Sequence, residues 1–297
     1  MEFTRTLLFV PANRERMLAR APRTGADAIV VDLEDAVPTT EKRAARTTLR
    51  GTLPAVIAAG TPVFVRVNNV RTGLARDDVM AAVRPGLAGV VHPKTEQAQD
   101  LRDLDVLLRE AELRYKVRPG DIQTIPLIET PRGVLRCEEI ALASDRVVAL
   151  SVGGEDYTAS IGVPSEGWGA ALAHIRQTVV QVAAAYGLQP IDTPFAAFRD
   201  EAGLRVDAEA ARALGFKGKY AVHPDQVAPL NEIFTPRPKE LVAARRIVEA
   251  AEAAKKQRRG TVSVNGRMVD APIVERARRL IALAASIEAR ATRTSRT

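Results

Sequence analysis

Short runs of apolar and β-branched residues alternate along this chain with longer stretches in which apolar positions recur every three or four residues. The short runs fall at 7–10, 28–33, 63–67, 89–91, 125–128, 147–152, 188–191 and 220–222. Runs that are apolar throughout suit strands covered on both faces, as in a parallel sheet layered by helices. Eight of them, each followed by a helical stretch, predict an α/β protein built as a (β/α)8 TIM barrel. Helix starts fall where such a barrel needs them. Pro38-Thr39-Thr40-Glu41 opens one, Thr95-Glu96 another, and Pro131-Arg132-Gly133 a third directly after Glu129.

After Asn231 the pattern changes, which predicts two domains: a barrel over 1–235 and a C-terminal helical extension over 236–297. The prolines at 236 and 238 mark a linker. A helix is expected over 239–256, then an extended piece at 261–264, a turn at Asn265-Gly266 and a last helix over 272–291. The tail, 293–297, is expected to be disordered. Some 60 residues hold too little apolar surface for a substantial core of their own, so the extension is expected to pack on the barrel or on a neighbouring subunit.

A barrel of this kind builds its active site at the carboxyl ends of its strands. Six polar segments stand there, each after a different strand: Pro11-Ala12-Asn13-Arg14, Asp32-Leu33-Glu34-Asp35, Arg66-Val67-Asn68, Pro93-Lys94, Glu129 and Gly153-Gly154-Glu155-Asp156. An acid after a strand is ordinarily a cap or a surface ion pair. Several on one face are more than caps require. Glu129 and Asp156, delivered by successive strands, crowd two carboxylates together, and hard oxygen ligands of this kind suit Mg²⁺. Arg66 lies among apolar neighbours and needs an anion, either a substrate carboxylate or a structural partner in Glu34 or Asp35. Gly153-Gly154 permits close backbone approach, and the helix start after it offers N–H groups to an oxyanion.

Composition narrows the picture. The net charge of +7 favours an anionic substrate. The basic residues, only eight of 43 being lysine, are spread over many helices and not interleaved with aromatics, so no nucleic-acid partner is expected. No run approaches the roughly 18 apolar residues that span a bilayer, and 7–10 is too short for a signal core, so no membrane association and a cytoplasmic location are expected. Cys137, the single cysteine, excludes an intramolecular disulfide and a thiolate zinc cluster and reads as an ordinary helix residue. His92, His174 and His223 share no metal-ligand spacing. His92 and His223 precede prolines at strand ends, where either is placed to touch substrate.

Six motifs together carry a family resemblance: Arg5-Thr6-Leu7-Leu8-Phe9-Val10-Pro11, Asp32-Leu33-Glu34-Asp35-Ala36-Val37, Val65-Arg66-Val67-Asn68, Leu127-Ile128-Glu129-Thr130, Gly154-Glu155-Asp156-Tyr157 and Gly218-Lys219-Tyr220-Ala221-Val222-His223-Pro224. In order and spacing they resemble the citrate lyase β-subunit-like family of the HpcH/HpaI aldolase superfamily, which includes malyl-CoA and β-methylmalyl-CoA lyases. The resemblance implies a Mg²⁺-dependent carbon–carbon lyase or synthase acting on acyl-CoA and a small oxo acid, with Mn²⁺ as an alternative ion and coenzyme A as part of the substrate. It implies Glu129 and Asp156 as metal ligands, Arg66 as the grip on the oxo acid, and Glu34 and Asp35 as the acidic pair behind the metal's water shell. Gly154, Glu155 and Arg14 are expected at the substrate, Arg14 beside the phosphates of the carrier. The segment Asn265 to Pro272 resembles the piece that, in the malyl-CoA branch, covers a neighbouring subunit's site, which makes Asp270 a candidate general acid or base. Its plainer role is to cap the helix that follows.

On this basis the expected activity is of malyl-CoA or β-methylmalyl-CoA type, glyoxylate plus acyl-CoA, with thioester hydrolysis as an optional second step. A citramalyl-CoA or citryl-type lyase is the alternative. A homo-oligomer, trimer or hexamer, is implied by the resemblance. A non-catalytic subunit or an RNA-binding barrel would call for lost acids or a concentrated basic patch, and the sequence has neither.

Overall fold

The computed structural model describes residues 3–164, 168–256, 262–264 and 267–294. Contacts divide the chain into two compact units, Phe3–Ile233 and Phe234–Thr297. In the first, eight parallel strands close into a barrel in sequence order. They are β1 (Thr6–Pro11), β2 (Ala28–Asp32), β3 (Val63–Arg66), β4 (Gly89–His92), β5 (Gln123–Ile128), β6 (Ala149–Val152), β7 (Gln189–Asp192) and β8 (Gly218–Ala221). The expected (β/α)8 barrel is present, with helices in the connections between its strands. Each predicted run became a strand, although β8 ends before Val222, which is 43% exposed.

The barrel closes because every strand carries apolar side chains inward. Leu7, Ala28, Val30, Phe64, Val91, Ile125, Leu127, Ala149, Ile191 and Tyr220 form one cluster that fills the interior. The lumen is therefore a packed core, and substrates have access only at its ends. The outward faces of the same strands are covered by helices such as Lys42–Ala58, which buries Ala45, Leu49, Leu53 and Val56 at helical spacing. The helix expected at Thr95-Glu96 begins later, at Ala98, because Gln97 and Asp100 form a reciprocal capping box there.

Beside β7 and β8 lies a buried ionic knot. Asp192, at the end of β7, accepts two hydrogen bonds of 2.9 Å from the Arg176 fork and one of 2.5 Å from Lys219. Asp207 lies 2.8 Å from Arg176 and 2.6 Å from Lys219. Two cations thus face two acids, each touching both.

In the second unit, helices Pro238–Lys256 and Ala271–Thr294 pack together, burying Ala244, Ala254, Val274, Ala277 and Ala284. Strands β9 (Val262–Val264) and β10 (Arg267–Val269) pair antiparallel. The predicted turn at Asn265-Gly266 and the start of the extended piece at Thr261 lie outside the described residues. The last helix runs on through Thr294, so residues 293 and 294 of the expected disordered tail are helical; 295–297 lie outside the described residues. Among the described residues, no helix is long and apolar enough to cross a membrane.

Candidate active site

The polar segments predicted at strand ends do converge, and they are organised by a residue of the second one. Asp32 ends β2 and is 1% exposed. Its carboxylate accepts the backbone N–H groups of Glu34 and Ala36 at 2.9 and 3.0 Å, which bends the chain sharply after the strand. It also takes the fork of Arg66, from the neighbouring strand β3, at 2.7 and 2.6 Å. Register explains the meeting, since Asp32 and Arg66 are paired positions of β2 and β3. The third guanidinium nitrogen lies 3.1 Å from Glu34. Arg66 is thus met by structural partners at all three of its guanidinium nitrogens. Asp32, not Glu34 or Asp35, is its principal partner. Below it the guanidinium rests 4.7 Å above the Phe9 ring, which in turn lies 4.7 Å from Tyr220 in the barrel core. The packed interior is the floor of the site.

Lys94, after β4, is the second organiser. Its backbone is left-handed, with φ at +48°, a conformation that a non-glycine residue holds only when its surroundings enforce it. From that position its N–H donates to Glu129 at 2.5 Å, while its ammonium lies 2.5 Å from Glu34, 3.1 Å from Asp35 and 3.5 Å from Asp156. Burial alone would lower this ammonium's pKa. Glu34, Glu129 and Asp156 outweigh burial and raise it.

Glu129 itself directly follows β5 and is 1% exposed. Burial first, and the charge of Asp156 second, push its pKa to about 8 in spite of Lys94. The Glu129 carboxylate fits only because residue 153 is glycine: a Cβ there would run into it. Asp156 follows within the short helix Gly154–Ser160 and is half-buried. Lys94 serves both acids, and that cation is already shared with Glu34 and Asp35, while Arg66, which also acts on Glu129, is tied to Asp32 and Glu34. The pair lacks the countercharge that a divalent ion supplies. Among the described residues no group of three or more histidines, cysteines and acids gathers as a closed cage. Two carboxylates with open positions around them suit an ion such as Mg²⁺, which keeps waters and takes substrate oxygens. The donor set fits the metal.

The remaining expectations fare unevenly. Gly154 cannot offer its N–H to an oxyanion, because that group donates to Thr193 at 2.8 Å; the N–H of Gly153 is likewise engaged, by the carbonyl of Ile128. The glycines supply space instead. Glu155 is exposed, and Arg14 is exposed just past the end of β1. Asp35 is 59% exposed at the rim, where the Lys94 charge lowers its pKa against the upward push of burial. Asp270 caps the helix Ala271–Thr294, accepting the Ile273 N–H at 3.3 Å. His92 does not face the open end: it is fully buried, with Nε2 accepting from Val70 and Nδ1 donating to Thr95, whose own hydroxyl donates to the His92 carbonyl. His223 stacks on Phe198 at 4.9 Å. Cys137 is a buried helix residue whose thiol is pushed up to about 12 by burial.

Asp32 and Lys94 stand inside the predicted segments without an assigned role, and the close approach expected at Gly153 is made by the Glu129 side chain. Asp32 had a signal, since a strand-terminal acid opposite a strand-terminal arginine on the adjacent strand is a natural pair. Lys42 had none. It reaches from the following helix to the carbonyls of Leu33 and Glu34, 2.6 Å from each, and holds the acidic loop from beneath.

Comparison with known proteins agrees with this geometry. A family model described as HpcH/HpaI aldolase/citrate lyase matches residues 5–224. The chain is 35% identical over 286 residues to the citrate lyase subunit beta of Haemophilus influenzae, covering 96% of this chain and 98% of that one. It is 34% identical over 299 residues to the mitochondrial citramalyl-CoA lyase of Mus musculus, covering 96% of this chain and 87% of that one. Among solved structures it resembles CitE from Mycobacterium tuberculosis in complex with magnesium, acetoacetate and coenzyme A. The TM-score is 0.77 at 29% identity, with 96% of this chain and all of that chain covered.

Proposed function

The chain belongs to the HpcH/HpaI aldolase/citrate lyase family of carbon–carbon lyases, and from that premise we propose that it is a Mg²⁺-dependent lyase of 3-hydroxy-3-carboxyacyl-CoA thioesters. The observation that carries the reading is the under-neutralised pair Glu129 and Asp156 beside Arg66. In cleavage the 3-hydroxyl gives up its proton, the C2–C3 bond breaks, and its electron pair passes to C2 as the enolate of an acyl-CoA. The other product is an α-oxo acid. Condensation is the same path reversed.

Mg²⁺ held by Glu129 and Asp156 would supply Lewis acidity and a template for the carboxylate and the reacting oxygen of the oxo acid; Mn²⁺ suits the same ligands. Arg66 contributes a fixed positive charge at the floor, favouring the negative charge that develops on the reacting oxygen. Asp32 holds that guanidinium in place, so it does not reorganise as charge appears. Glu34 and Asp35 set the field behind the ion. Asp270 is the proposed proton-exchanging carboxylate, and Arg14 the proposed partner of a carrier phosphate.

Similarity to citramalyl-CoA lyases supports pyruvate as the oxo acid released. The malyl-type reading, with glyoxylate, rests on the resemblance of the segment around Asp270. A panel of glyoxylate, pyruvate and oxaloacetate against acetyl-CoA and propionyl-CoA, read by mass spectrometry with and without chelator, separates them. The same spectra reveal any hydrolysis to the free acid. Absence of every condensation and cleavage product across the panel would sink the lyase reading. The proposal includes a homo-oligomer, which light scattering reads directly.

A further inference from the structure

Lys94 touches the three acids Glu34, Asp35 and Asp156 through its ammonium, and a fourth, Glu129, through its backbone N–H. These acids come from three different strand ends, after β2, β5 and β6. No other cation lies within salt-bridge distance of Asp156 among the described residues. The left-handed backbone at residue 94 accompanies this double contact, the N–H with one acid and the side chain with three others.

We propose that Lys94 is an internal counter-ion that competes with the divalent metal, holding the acid cluster assembled before the ion arrives and setting how weakly the ion is held. The inference rests on the metal reading of Glu129 and Asp156. When a divalent ion sits between those two acids, the ammonium at 3.5 Å from Asp156 is repelled toward Glu34 and Asp35, which lie nearer to it already. It then pairs with the acids behind the ion. No bond is made or broken; one ion pair is exchanged for another. Lys94 is on this account a positioning residue with two opposed effects. It stabilises the metal-free protein by neutralising buried acids, and it lowers metal affinity by adding a positive charge close to the ion. At such separations a single charge changes the binding of a divalent ion by roughly tenfold or more, even at a high effective dielectric constant.

The test is calorimetric titration of the full chain with Mg²⁺ alone, in the absence of any substrate, using wild type, Lys94→Met and Lys94→Arg. Methionine keeps the stem and removes the charge. The expected result is Mg²⁺ binding about tenfold tighter or more in Lys94→Met, and a change of less than about threefold in Lys94→Arg. Melting curves without metal should show Lys94→Met below wild type, and saturating Mg²⁺ should raise its Tm by more degrees than it raises that of wild type. Affinity in Lys94→Met that is unchanged or weaker overturns the proposal while leaving the metal site standing. An arginine variant that gains as much as methionine also overturns it, because charge would not be the cause. If Lys94→Met is folded only in the presence of Mg²⁺, the neutralising role is supported, and the affinity comparison is made by competition with chelator. Failure of wild type to bind Mg²⁺ at all overturns both this inference and the reading beneath it.

Discussion

Two clusters of acids and cations stand at the strand ends of one barrel, one sealed beside the wall and the other open toward the rim at Lys94, Asp35 and Asp156. In the knot beside β7 and β8, Arg176 and Lys219 each touch both Asp192 and Asp207, and the charges cancel. Burial pushes the Asp207 pKa up, but the two cations outweigh it and the net shift is downward. Across the mouth, Asp32, Glu34, Asp35, Glu129 and Asp156 are met by Arg66 and Lys94. There the acids are in excess, and Glu129 is pushed up to about 8. A matched network has its stabilisation in place when the chain folds and needs nothing further. An unmatched one is held at a cost by the scaffold around it and is completed by something from solution. The difference between structure and chemistry here lies in charge balance together with access to solvent.

The largest effect should come from removing the unmatched acid. Glu129→Gln keeps the shape and is expected to lower lyase turnover by about a thousandfold or more and to abolish Mg²⁺ binding, with Tm unchanged or raised. Steady-state assays and calorimetry read the first two, and a melting curve the third. Retained metal binding would erase the contrast between the clusters.

Lys219→Met is the mirror experiment. It leaves Asp192 and Asp207 with one cation between them and should destabilise the chain by about 3–5 kcal/mol in denaturant unfolding, with Mg²⁺ affinity untouched. A loss below about 1 kcal/mol would mean that the matched knot is not structural.

His92 extends the comparison to pH. Burial lowers its pKa to about 4, so the folded protein keeps it neutral where the unfolded chain, titrating near 6.5, takes up a proton. Stability is therefore unaffected above pH 6.5 and falls as pH drops from 6.5 toward 4, by about 3 kcal/mol over that window. His92→Gln should flatten this slope in unfolding curves measured between pH 4 and 7, at the expense of a lower plateau.

Asp270→Asn gives the smallest change. Asparagine caps helices about as well as aspartate, so Tm and metal affinity should hold while turnover falls by roughly a hundredfold. Undiminished turnover would leave Asp270 as a cap alone.

Much of this was readable along the chain. The eight apolar runs located the eight strands to within a few residues, because a strand covered on both faces must be apolar throughout. The acids at 34, 129 and 156 and the arginine at 66 stood out because barrel chemistry gathers at strand ends. Roles were less legible. Gly153-Gly154 is expected to permit close approach, with the helix start after it offering N–H groups; the N–H groups of the two glycines themselves go to Ile128 and Thr193, and what residue 153 provides is room for the Glu129 carboxylate. His92 precedes a proline as His223 does, and only the fold shows that it is sealed beneath the surface.

The sequence by itself determined the element order, the closed parallel barrel and the set of charged residues delivered to its mouth, since each follows from local periodicity and strand-end position. Tertiary structure alone decided which charges cancel. Pairing depends on register and on side chains far apart along the chain, as with Lys94 and Glu34, 60 residues apart. Electrostatic energy depends on separation and burial, and neither is written in the order of residues along the chain.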